Sequence, residues 1–102
     1  MIYYLSGKVT NNPNYMSEFA YAEEEIKERF GGHRGPVEVI NPAKILESVS
    51  RILSYDDCMD ICFKLIDCAD VVFMLDNWHE SKGACMERGY AIAKGITVKA
   101  RC

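Results

Sequence analysis

Four short stretches hold the side chains that could do chemistry. Ser6-Gly7-Lys8 combines a hydroxyl, a glycine that lets a ligand approach the backbone, and an ammonium. Placed between a strand and the positively polarised N-terminus of a helix, that combination suits a phosphate. Ser81-Lys82-Gly83-Ala84 offers a second anion grip: Ser81 is a natural N-cap, and Gly83 leaves the helix end unblocked. Glu87 follows, flanked by Ala84, Met86, Tyr90 and Ala91. A carboxylate on an otherwise apolar helix is either an ion-pair partner for Arg88 or Lys94, or a group held at the mouth of a site. Asp76, Asn77 and Trp78 form the fourth stretch, where the aromatic is either a loop anchor or, beside two polar residues beyond a strand end, a platform for stacking on a base.

The elements that must position these residues follow from apolar spacing. Ile2 to Leu5 reads as a buried strand breaking at Ser6-Gly7, and Lys8 to Asn14 as a polar loop. From Tyr15, Met16, Phe19, Ala22, Ile26 and Phe30 recur at spacings of three and four, predicting an amphipathic helix stopped by Gly31-Gly32. Val37 to Ile40 is a short strand closed by Asn41-Pro42, which opens a second candidate loop at Asn41. Ala43 to Leu53 carries a weak helical pattern. Asp56 to Cys68 carries a stronger one, with Ser54 or Asp56 as N-cap. Val71 to Leu75 is a fully apolar strand, Gly83 to Lys94 a helix ended by Gly95, and Ile96 to Val98 a last strand.

The order is β-α-β-α-α-β-α-β, and the strands lack alternation, so they are expected to be covered on both faces. This predicts an α/β fold: a small Rossmann-like or flavodoxin-like three-layer sandwich with a mostly parallel sheet of four to five strands. In such sheets ligands bind beyond the carboxyl ends of the strands, which nominates the loops after Ser6, Asn41 and Leu75.

Composition bounds the alternatives. The 102 residues fit one domain. Twelve basic and 15 acidic side chains give a charge of −3, which argues against a nucleic-acid polymer as partner. With five apolar residues as the longest uninterrupted run, no membrane segment is expected, and the expected compartment is the cytosol. Five cysteines without a C-x-x-C pair read as small buried hydrophobes in a reducing environment. A zinc site would have to join Cys58 and Cys62 to His33 or His79, a poor match to known ligand spacings, so no metal is expected.

Tyr4-Leu5-Ser6-Gly7-Lys8, Val39-Ile40-Asn41-Pro42-Ala43, Asp70 to Leu75, Ser81-x-Gly83-Ala84-x-x-Glu87 and Ala91-x-x-x-Gly95-Ile96 together resemble the nucleoside 2-deoxyribosyltransferase-like superfamily, which includes 2'-deoxynucleoside 5'-phosphate N-hydrolases. The resemblance spans nearly the whole chain as one domain. It implies cleavage or transfer at the N-glycosidic bond of a nucleoside or nucleoside 5'-monophosphate, with the glutamate at Glu87 attacking the anomeric carbon. An oxocarbenium-like transition state gains from such a carboxylate, and covalent capture divides one hard step into two. The resemblance further implies that Gly7, Lys8, Ser81 and Gly83 hold a 5'-phosphate, that Tyr4 borders the sugar, and that no cofactor is needed. Ser6, Asn41 and Trp78 complete the expected substrate-binding set, and a homodimer or larger homo-oligomer is expected.

One position departs from the pattern. Active members of that superfamily usually carry a second acid eight positions before the residue matching Asp70, and here that position is Cys62. Asp60 lies about 200 degrees away around a helix and is expected to point nearly the opposite way; Asp76, just beyond the third strand, is a candidate substitute proton donor. A noncatalytic nucleotide-binding module on the same fold is the alternative reading, and a partner-binding domain without a ligand is a third.

Overall fold

The computed structural model describes residues 1–31 and 35–100. Its elements run β1 (Ile2–Ser6), α1 (Tyr15–Phe30), β2 (Glu38–Ile40), α2 (Pro42–Leu46), α3 (Tyr55–Asp67), β3 (Val71–Met74), α4 (Lys82–Ala93) and β4 (Thr97–Ala100), with one 3-10 turn over Trp78–Glu80. The four strands form one parallel sheet in the order β2-β1-β3-β4. The chain therefore reverses its direction of travel across the sheet between β1 and β3, the place where open α/β sheets bind ligands.

Alternation along the two central strands divides the core into two layers. Tyr3, Leu5, Val71, Phe73 and Leu75 pack against Phe19, Ala22 and Ile26 of α1. Tyr4, Val72 and Met74 face the other way, against Cys62 and Ile66 of α3 and Ala84 and Ala91 of α4. Coverage on both faces holds for β1 and β3 only. β2 and β4 are edge strands with partly exposed side chains, because helices this few cover the centre of the sheet and not its margins.

Local signals set most boundaries. Ser54 caps α3 in a reciprocal capping box with Asp57, so Ser54 rather than Asp56 is the cap. At the end of α4, Gly95 (φ 76°) donates to Ile92 and Ile96 donates to Ala91, the Schellman arrangement that turns the chain into β4. The turn displaces β4 from the expected Ile96–Val98 to Thr97–Ala100.

Two expectations fail. The helix after Asn41 stops at Leu46 instead of Leu53, and turns follow, in which Ser50 Oγ donates to the Glu47 carbonyl and Ile52 is 82% exposed. Of the described cysteines, only Cys62 is buried; Cys58 is half-buried and Cys68 and Cys85 are exposed. Gly32, His33 and Cys102 lie outside the described residues.

Candidate functional site

A pocket of about 710 Å³ opens beyond the carboxyl end of β1, walled by the β1–α1 loop, α2 and the N-terminal turns of α3 and α4. Glu87 lies on its wall and is itself only 7% exposed. Helical spacing explains the burial. Ala84, Glu87 and Ala91 make the inward stripe of α4, so the glutamate occupies a position where the pattern calls for an apolar residue.

A buried carboxyl must be hydrogen-bonded, and the sheet supplies the donors. Tyr4 and Ser6, two apart on β1 and therefore on one face, both point at it. Ser6 Oγ donates to Glu87 Oε1 at 2.7 Å and Tyr4 Oη donates to Oε2 at 3.0 Å. Cys62 of α3 approaches the same carboxyl from the opposite helix and favours its charged form. Burial pushes the Glu87 carboxyl above its ordinary value, while the bonds from Ser6 and Tyr4 and the approach of Cys62 pull it back down. Burial raises the Tyr4 phenol well above its usual range, with the Glu87 charge adding to the effect, and raises the Cys62 thiol to about 12. Both are thus neutral donors at physiological pH. Neither alternative ion pair forms: Arg88 lies over the Trp78 ring at 5.1 Å and Lys94 sits 3.9 Å from Asp67.

The two helix-end grips differ. Ser81 caps α4 by accepting from the Ala84 amide at 3.1 Å, and Ser81, Lys82 and Gly83 all line the pocket. Gly7 and Lys8 line it too, but the Lys8 amide already donates to Asn77 Oδ1 at 3.2 Å and its ammonium pairs with Glu80 at 3.3 Å. Gly7 has a structural reason beyond ligand approach, since a Cβ there would stand 3.0 Å from Leu75 Cβ.

Five expected residues lie off the pocket wall. Asp76 lines a separate depression of about 430 Å³ with Glu18, Tyr21 and Asn77, not the pocket of Glu87. Leu75 packs in the α1 layer, and the next residue emerges beside Glu18 and Tyr21 of that helix. Asn41 is buried as the N-cap of α2, accepting from the Lys44 amide and donating to Glu23, so its polar groups are engaged in structure. Trp78 packs its ring on the α4 core layer. Tyr4 and Ser6 are buried behind Glu87 rather than on the pocket wall.

Sequence reasoning missed Tyr55 and Met59, which line the pocket from the first turns of α3. The signal was Ser54: a cap there puts Tyr55 at the first helical position, facing the mouth. Among the described residues no group of three or more His, Cys, Asp or Glu side chains could hold a metal ion, and no helix is long and apolar enough to cross a membrane.

No curated protein matches the chain. A solved structure, the 2-desoxiribosyltransferase from Leishmania mexicana, shares its fold with a TM-score of 0.68 at 15% identity, over 97% of this chain and 62% of that one. This chain thus spans less than two thirds of that protein's length, and at such identity the likeness is one of fold. The family model for DUF4406, a domain of unknown function, matches residues 1–100, so this α/β chain with an inward-facing glutamate belongs to the DUF4406 family.

Proposed function

We propose that the protein cleaves or transfers at the N-glycosidic bond of a deoxynucleoside or deoxynucleoside 5'-monophosphate, with Glu87 as nucleophile. The observation that carries this reading is the buried Glu87 carboxyl on the pocket wall, oriented by Ser6 and Tyr4. A Glu87 oxygen attacks the anomeric carbon as the carbon–nitrogen bond breaks and the base departs with the electron pair. In hydrolysis a water then displaces Glu87, its hydroxyl going to the sugar and its proton to the base. In transfer, a nitrogen of a second base takes the place of that water, displacing Glu87 as its proton passes to the departed base. Ser6 and Tyr4 hold the carboxylate in its attacking orientation, while burial leaves it weakly solvated. Asp76, facing the other depression, has no part in this scheme. The fold shared with a 2-desoxiribosyltransferase supports the reading.

The test is incubation with a panel of deoxynucleosides and their 5'-monophosphates, with free base measured by chromatography. Wild-type protein releases base and Glu87→Ala does not, a loss of at least about a thousandfold, as for removal of other nucleophiles. Absence of base release from every member of the panel overturns the proposal.

A second reading, a noncatalytic nucleotide-binding module, is favoured by one observation: Cys62 stands where the related enzymes carry an acid, and its thiol is neutral. It predicts thermal stabilisation by nucleotides without base release. Either reading extends to a homodimer or larger assembly, checked by sedimentation.

A further inference from the structure

The hydroxyl of Tyr55 is a hydrogen-bond donor in the pocket that no described residue uses. Tyr55 opens α3 and lines the pocket. Its hydroxyl makes no hydrogen bond to any described residue, whereas Tyr4 and Tyr90 bond to Glu87 and Asp67. The ring reaches across the mouth to the first turn of α4. A Cβ on Gly83 would stand 3.1 Å from the Tyr55 oxygen and 3.4 Å from Met59 Sδ, so the glycine makes room for this side chain. Partial burial, and secondarily the Glu87 charge, raise the phenol, which therefore remains a donor at neutral pH.

The surroundings of that hydroxyl indicate what it would meet. Beside it are the exposed Lys82, the Ser81 cap and the start of α4, where backbone amides and partial positive charge favour an anion. The opposite grip, at Lys8, is already engaged by Asn77 and Glu80. An anionic group entering the pocket therefore finds available donors at the Tyr55–Gly83 end, across the same pocket from the Lys8 loop.

We infer that Tyr55 is a specificity-determining residue: its hydroxyl, seated over Gly83, donates to the 5'-phosphate and makes the pocket prefer nucleoside monophosphates over nucleosides. This rests on the nucleotide reading given above but not on its chemistry, since it concerns binding alone. A hydrogen bond to a charged acceptor carries enough free energy for roughly a ten- to hundredfold preference.

The experiment is calorimetric titration of the full chain with the four deoxynucleoside 5'-monophosphates and the four matching deoxynucleosides, for wild type and Tyr55→Phe. Phenylalanine keeps the ring and its packing, and circular dichroism with a melting curve verifies that the variant is folded. The expected result is at least about a tenfold weaker monophosphate binding in Tyr55→Phe, with nucleoside affinity unchanged within twofold. Equal affinities of wild type and variant for the monophosphates overturn the inference, as does an equal loss for both ligand classes. Selective loss without base release by the wild type supports Tyr55 as the phosphate donor while overturning the glycosidic chemistry. Failure of wild type to bind any of the eight compounds overturns both.

Discussion

At the scale of single residues, the energetic tension in this protein is concentrated on Glu87. Its carboxyl has a higher affinity for a proton in the folded chain than its ordinary value of 4.5, because desolvation outweighs the two hydrogen bonds and the Cys62 approach that favour the anion. Between that ordinary value and the raised one, the folded state binds more protons than the unfolded state. Stability from this group is therefore complete below about pH 4.5 and is lost as the pH rises through the folded value. Glu87→Gln removes the titration and keeps the shape: its amide donates to Ser6 Oγ and its carbonyl accepts from Tyr4. The variant is expected to melt higher relative to wild type at pH 7 than at pH 4, while losing base release. Melting curves across that range check it, and a difference that stays constant with pH overturns the assignment of strain to this carboxyl. The trade of stability for a poised group is what an active site requires.

At the scale of elements, the pocket depends on helix ends being where they are. Three of its walls begin at a helix start fixed by a side-chain cap: Asn41 for α2, Ser54 for α3 and Ser81 for α4. The far end of α4 is fixed by Gly95 in the left-handed region, with open space where a Cβ would be. Gly95→Ala therefore costs only the backbone conformation, about 1 kcal/mol. That corresponds to a fall of about 4–8 °C in melting temperature for a domain of this size. Base release per folded molecule is expected to stay at the wild-type level, because the Schellman turn lies at the opposite end of α4 from the pocket. A loss of activity larger than the loss of folded protein would count against this separation of roles.

At the scale of the whole molecule, two core layers on either side of β1 and β3 carry the stability, and the residues between α2 and α3 carry little. Ile66→Ala, in the layer that backs Glu87, is expected to cost about 2–5 kcal/mol by leaving a cavity. Ile52→Ala, at 82% exposure, is expected to change stability by less than about 0.5 kcal/mol. Denaturant midpoints measured side by side check the pair, and similar shifts for both would contradict the two-layer core. The parallel sheet order is also what brings β1 and α4, 81 residues apart at the Ser6–Glu87 bond, into one hydrogen-bonded group.

The sequence by itself determined the alternation of strands and helices, because apolar spacing and capping residues act over a few positions. It also singled out Glu87, as a charge on an apolar helix, and placed Ser81 at a helix start. It could not place Asp76, because the depression that a residue beyond a strand end lines is set by the helix packed beside it, here Glu18 and Tyr21 of α1, which no local pattern encodes. Nor could it give Asn41 and Trp78 their packing roles, which arise from neighbours far away in the chain. Only the tertiary structure decided that Tyr4, Ser6 and Cys62 surround one carboxyl and that Tyr55 stands over Gly83. Those contacts are set by sheet register and helix packing, and both are long-range consequences of burying two apolar faces at once.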